Sequence, residues 1–141
     1  MVSANNFCVG MPEIDQQHRI LLDCISLIEE SVSRGTTRSA IQPVLGQLAN
    51  FARLHFAYEE SSMRNHRYPG LEKHAEFHGQ FMSDLRDLEE QSRRAGVSRE
   101  TILFIQDRLL EHSMTSDREF ASWLAEAGER GEGSNALDGR Q

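Results

Sequence analysis

Four amphipathic stretches of the chain each carry at least one histidine among the apolar residues of a single helical face. In every stretch, apolar residues recur at three- and four-residue steps, which is the period of an α-helix with one buried side. The histidines on that side are His18, His55, His74, His78 and His112. A fold that buries these four stripes must therefore also bury five imidazoles.

Glycine and proline mark the ends of the first two helices. The apolar period predicts the first helix from about Asp15 to Arg34, and Gly35 ends it because glycine readily adopts the backbone conformation that closes helices. The second helix is expected to begin between Ser39 and Gln42. Pro43 should then lie in its first turn, where a missing N–H costs least.

The last two helices are bounded in a similar way. Tyr68-Pro69-Gly70 breaks the chain before the third helix, which should end before Gly96, and Ser98 is a favourable N-cap for the fourth. Four helices joined by short turns pack most simply as an all-α, up-down-up-down antiparallel four-helix bundle. We expect one bundle domain over residues 1–127 and a disordered polar tail over residues 128–141.

Charge and hydropathy exclude several classes of partner. The net charge of -7 and the lack of a basic stripe argue against nucleic-acid binding. No apolar run approaches the roughly 20 residues that span a bilayer, so no membrane association is expected, and Met1 to Gly10 lacks the features of a secretion signal. The expected location is cytoplasmic. Cys8 and Cys24 form neither a Cys-x-x-Cys pair nor a disulfide framework.

Buried imidazoles require partners, because an unsatisfied ring nitrogen in an apolar core costs about 1–3 kcal/mol. His66 lies in a turn-like segment and is expected at the surface, whereas the other five histidines face inward with Glu59. Five imidazoles exceed the four positions of a tetrahedral zinc, and no cysteine joins them. Two octahedral ions that share two carboxylates and one bridging oxygen would accommodate them with one position open. Such a centre is suited to a small molecule such as dioxygen.

The second bridging carboxylate is not determined by helical periodicity. The fourth helix offers Glu111, Asp117 and Glu119. Glu111 points about 100° away from its neighbour His112, and Asp117, five residues after His112, is about 140° off in an ideal α-helix. Neither angle selects a ligand.

The candidate ligands nevertheless follow a recognisable order, namely His55-x-x-x-Glu59, His74-x-x-x-His78 and His112-x-x-x-x-Asp117, preceded by Val9-Gly10 and Ile14-Asp15-x-Gln17-His18. In this order and spacing, over roughly Phe7 to Trp123, the chain resembles the bacterial hemerythrins, or bacteriohemerythrins. These are oxygen-binding, non-haem di-iron proteins of the hemerythrin family. The resemblance implies a four-helix bundle, in agreement with the helical pattern.

The resemblance also implies a cofactor of two iron ions, alternating between Fe2+ and Fe3+, with a bridging oxo or hydroxo group. Its ligands would form two unequal sets that share carboxylates: His74, His78 and His112 on one iron, His18 and His55 on the other, and Glu59 and Asp117 bridging both. Dioxygen would bind at the iron with two histidines, which has the open position.

The pocket for oxygen is expected to include Leu109, Arg108 and Ile14. Relatives often have tryptophan where this chain has Arg108. The next residue is leucine in those relatives and in this chain, where it is Leu109. A guanidinium at this position either donates hydrogen bonds to a bound anion or extends to solvent and covers the helix with its aliphatic stem.

Three functions remain open from the sequence. Reversible dioxygen binding, for carriage, storage or sensing, suits an imidazole-rich site and is favoured over an enzyme. The alternative is a di-iron enzyme that acts on nitric oxide or peroxide, since open-site iron binds these ligands and small anions as well. A third hypothesis is a redox- or iron-sensing signalling module. No protein partner is indicated.

Overall fold

The computed structural model describes residues 9–36 and 38–129, and within them all regular structure is helical. The helices are α1 (Pro12–Ser33), α2 (Arg38–Asn65), α3 (Leu71–Arg94), α4 (Arg99–His112) and α5 (Arg118–Glu129), with a π-helical segment, Ser113–Asp117, between the last two. Because α4, the π-helical segment and α5 follow one another without a break, they form a single fourth rod.

The four rods pack in a ring. Helix α1 contacts α2 and α4, and α3 likewise contacts α2 and α4. Since short turns join consecutive rods, each rod runs antiparallel to the next. The expected all-α antiparallel four-helix bundle is confirmed.

Helix α1 begins at Pro12, three residues before the predicted start at Asp15. The carboxylate of Asp15 reaches back and accepts hydrogen bonds from the backbone N–H groups of Val9, at 2.7 Å, and Gly10, at 3.2 Å. Gly10 has a φ of 92°, a conformation that a Cβ would strain. The turn that brings the chain back over Asp15 thus places Pro12 at the start of the helix, where proline is favoured.

Helix α2 begins at Arg38, so Pro43 lies beyond its first turn and not within it as predicted. The missing N–H removes one hydrogen bond from a helix of 28 residues. Burial of Ile41, Leu45 and Leu48 around the proline offsets that loss. The remaining predicted boundaries hold, because α3 begins after Gly70 and ends before Gly96, and Ser98 caps α4 by accepting a hydrogen bond from the Thr101 N–H at 3.2 Å.

The bundle core is divided along its length into an apolar part and a histidine-containing part. The apolar residues come from the later turns of α1 and α3 and the earlier turns of α2 and α4, and they include Leu21, Ile25, Leu45, Leu48, Phe81, Leu85, Leu88, Ile102 and Ile105. The histidines occupy the opposite ends of the same helices. The antiparallel order therefore gathers all five imidazoles at one end of the bundle.

Three expectations concern the limits of the chain. No helix in the described part is long and apolar enough to cross a membrane. Helix α5 continues to Glu129, which includes the first two residues of the predicted tail, and residues 130–141 lie outside the described residues. Residues 1–8, with Cys8, also lie outside them, so the domain limits of 1–127 stay a prediction.

Candidate metal centre

Five imidazoles and two carboxylates converge at the histidine-containing end of the bundle. Each of these side chains is at most 5% exposed, and they are His18, His55, Glu59, His74, His78, His112 and Asp117. Two pairs come from single helices at one-turn spacing, since His55 is followed by Glu59 and His74 by His78. His66 lies apart from the cluster, half-buried, and its Nδ1 donates to the Ser62 carbonyl at 2.9 Å.

The carboxylate of Glu59 divides its oxygens between two groups of imidazoles. Oε2 lies 3.4 Å from His18 Nε2 and 3.2 Å from His55 Nε2. Oε1 lies 3.3 Å from His74 Nε2 and 3.1 Å from His78 Nε2. One carboxylate thus faces both groups at once.

Asp117 divides its oxygens between the same two groups. Oδ2 lies 3.0 Å from His18 Nε2, while Oδ1 lies 2.8 Å from His74 Nε2 and 3.2 Å from His112 Nε2. The π-helical segment makes this possible, because its i→i+5 hydrogen bonding widens the turn and brings residues five apart to one face. Glu111 and Glu119, the other candidates, are exposed.

Potential ligand atoms lie within 4.8 Å of one another in two overlapping sets, one of Glu59, His74, His78 and His112, and one of His18, His55, Glu59 and Asp117. Several imidazole nitrogens lie 3.1 to 3.4 Å from a Glu59 oxygen at angles that do not form a hydrogen bond. Within the described residues, no hydrogen-bond partner exists for His55 Nε2, His78 Nε2, Glu59 Oε2 and both Asp117 carboxylate oxygens. The Nε2 atoms of His74 and His112 lie only 3.0 Å apart.

Such unsatisfied buried atoms are costly unless a cation accepts their lone pairs. The donors are imidazole nitrogens and carboxylate oxygens without a thiolate, which is the chemistry of first-row transition metals. Seven ligands exceed one tetrahedral zinc ion, whereas two octahedral ions sharing both carboxylates use all of them. The residues therefore fit a centre of two transition-metal ions.

The metal-free cluster balances burial against charge. Burial lowers the pKa of His18, but the close contacts of Nε2 with the carboxylates of Asp117 and Glu59, and the negative charge of these carboxylates, outweigh burial and raise the pKa to about 9. The same balance raises the pKa of His74 to about 9, while burial dominates at His112 and lowers its pKa. Burial alone would raise the pKa of Glu59 and Asp117, yet the facing imidazoles hold both below their usual values. A metal ion entering this cluster would therefore displace protons.

Two outer residues orient imidazoles toward the cluster. His78 Nδ1 donates to Glu60 Oε2 at 2.7 Å, and His55 Nδ1 donates to Gln17 Oε1 at 2.6 Å. In the neutral rings, these bonds leave the lone pair on Nε2, which faces the cluster. Sequence reasoning missed Glu60 because, as the neighbour of Glu59, it points about 100° away from the predicted ligand face.

Aromatic rings fix two of the imidazoles further. Phe56 stacks on His78 with ring centroids 3.9 Å apart and an interplanar angle of 10°. Phe77 stacks on His112 at 3.9 Å and 5°. This packing restricts rotation of both imidazoles, so their nitrogens are held toward the cluster before any metal binds.

The residues predicted for the oxygen pocket separate in the structure. Ile14 and Leu109 are buried, at 1% and 2% exposure. The guanidinium of Arg108 instead lies over the rings of Phe77, at 5.5 Å, and Phe104, at 5.7 Å, and is 3.5 Å from Asp84 Oδ2. The Arg108 side chain is 30% exposed, so its charge reaches solvent while its stem covers the helix.

The fold and this cluster together define an all-α bundle with a buried cluster of seven potential metal ligands. The sequence matches the family model described as Hemerythrin HHE cation binding domain over residues 9–124. The chain belongs to the hemerythrin family, whose members are non-haem iron-binding proteins.

Curated relatives agree with this assignment. The chain is 25% identical over 125 residues to a bacteriohemerythrin of Methylococcus capsulatus, covering 87% of this chain and 95% of the relative. It is 27% identical over 120 residues to a hemerythrin-like protein of Naegleria gruberi, covering 85% and 90%. A bacteriohemerythrin of Pseudomonas paraeruginosa is 28% identical over 82 residues, which are 58% of this chain and 53% of that relative. The expected family is confirmed.

Proposed function

We propose that this protein binds dioxygen reversibly at a non-haem di-iron centre. One observation carries the proposal: each of two buried carboxylates presents one oxygen to each of two imidazole groups. In this proposal, His74, His78 and His112 would hold one iron, His18 and His55 would hold the other, and Glu59 and Asp117 would be shared by both.

The protein's own residues would position the metal ions and control access to them. When bound, two ferrous ions supply the electrons and the Lewis acid that dioxygen binding requires. Glu59 and Asp117 would hold both ions, and the group of His18 and His55, which has one imidazole fewer, would leave room for a small ligand. Ile14 and Leu109 are apolar and carry no acidic proton, which favours release of the bound molecule over its reduction.

Oxygen titration of the anaerobically reduced, iron-loaded protein tests this function. We expect a visible absorption band that saturates at one dioxygen for every two irons and disappears under argon. Zinc-loaded protein is the control and should remain colourless, because zinc has no redox chemistry. Continued oxygen consumption with a reductant, without a releasable species, would contradict the proposal and favour an enzyme. Turnover of nitric oxide or peroxide under the same conditions would identify the substrate of such an enzyme.

Replacing Glu60 tests the orientation of the ligand His78. Glu60→Ala removes the acceptor for His78 Nδ1, so we expect the affinity of the three-histidine iron to fall about 10- to 100-fold. Glu60→Gln keeps an acceptor without its charge and should give an intermediate loss. Competition with a chelator measures the iron affinity of both variants. Glu76→Ala is the control, because it removes the same negative charge at an exposed position. Equal iron affinity in Glu60→Ala and Glu76→Ala would contradict the assignment.

A further inference from the structure

A buried hydroxyl group lies at the edge of the candidate metal centre. Ser113, the first residue of the π-helical segment, is 2% exposed, and its Oγ lies 3.4 Å from His18 Nε2. Among the described residues, this is the one side-chain hydrogen-bonding contact of Ser113. Thr115, two residues later, is exposed and donates to the Glu111 carbonyl at 2.8 Å. The two hydroxyls of one segment therefore face opposite environments.

The contact between Ser113 and His18 cannot persist in the loaded site. If His18 Nε2 binds iron, as the proposed function requires, its lone pair is committed to the metal, and this nitrogen can neither donate a hydrogen bond to Ser113 nor accept one from it. The Ser113 O–H then becomes a buried donor beside the iron held by His18 and His55. A buried donor without an acceptor is unfavourable, so the hydroxyl favours any bound group that offers one.

The other residues proposed for this pocket offer no such donor. Leu109 precedes Ser113 by one helical turn and lies on the same face, and Ile14 is equally apolar. Arg108 is directed away from them, toward Phe77 and Asp84. Ser113 is therefore the side chain of this pocket that distinguishes a ligand able to accept a hydrogen bond from one that is not.

We propose that Ser113 determines ligand specificity by donating a hydrogen bond to a small anion or oxygen-containing ligand bound beside His18. This inference rests on the proposed function and concerns the same open position. The site then retains hydrogen-bond-accepting ligands longer than an all-apolar pocket would. Azide, added to the oxidised iron-loaded protein, is a suitable probe because it binds ferric iron and accepts hydrogen bonds.

Three variants test the proposal by visible titration with azide. Ser113→Ala should weaken azide binding about 10-fold, the effect of one hydrogen bond to an anion. Ser113→Thr keeps the hydroxyl and should stay within about 2-fold of the wild-type protein. Thr115→Val removes the exposed hydroxyl of the same segment without changing side-chain shape, and its azide affinity should equal that of the wild-type protein.

Iron content and thermal unfolding are measured for every variant before azide is added. A purely structural role for Ser113 predicts less iron or a lower melting temperature in Ser113→Ala, with unchanged azide affinity in the loaded molecules. That result would overturn the inference while leaving the di-iron site intact. Failure of the wild-type protein to bind two irons would overturn the proposed function, and this inference with it.

Discussion

Glu59→Gln is expected to bind fewer than one iron ion per chain, whereas two are proposed for the wild-type protein. Glu59 is the residue common to both sets of potential ligands, with its two oxygens facing opposite groups of imidazoles. An amide keeps the shape but removes the charge, and its NH2 group presents hydrogens where a metal requires a lone pair. Iron quantification after anaerobic loading with ferrous salt measures the result.

The matched control for that variant is Glu76→Gln, which makes the same chemical change at an exposed position of α3. It should retain two irons. We also expect the iron-loaded wild-type protein to unfold at a higher temperature than Glu59→Gln, because metal that binds only the folded chain stabilises it. Two irons in Glu59→Gln would mean that another residue joins the ions, and the ligand assignment would be wrong.

The bundle itself could be predicted from the sequence because burial imposes a strong period. Apolar residues on one face of each stretch required four packed helices, and the same faces carried the five histidines. Two boundaries were shifted by local chemistry that periodicity does not detect. Asp15 binds backbone N–H groups that precede it, and Pro43 is tolerated inside α2 because buried neighbours offset its missing hydrogen bond.

Parts of the candidate site could not be predicted from helical periodicity, because they depart from ideal helix geometry or depend on contacts between helices. A fixed rotation of about 100° for each residue placed Asp117 away from His112, and only the resemblance selected it. The π-helical segment provides the physical reason, and its one trace in the sequence is the five-residue spacing. Glu60 and Ser113 were missed because their contacts join residues 18 and 95 positions apart.

Removing one residue from the π-helical segment is expected to leave iron binding intact, whereas adding one residue is expected to abolish it. A π-helical turn accommodates one residue more than an α-helical turn, so deleting the exposed Thr115 should restore a continuous α-helix. Asp117 would then follow His112 by four positions, about 40° around the helix, and iron should be retained. Inserting an alanine after Met114 instead separates the two residues by six positions. Asp117 then turns away, and iron should fall below one ion per chain.

The insertion also rotates α5, which buries Phe120 and Ala127, so loss of iron has to be separated from loss of the fold. Circular dichroism of the metal-free proteins reports the bundle, and an alanine inserted after the exposed Gly128 is the control for added length. If the insertion variant folds and still binds two irons, Asp117 is not a bridging ligand. If the Thr115 deletion variant folds but loses iron, the π-helical segment has a second role besides bringing Asp117 to the helix face of His112. Its added residue would then set the distance between the two metal ions, which a regular helix cannot reproduce.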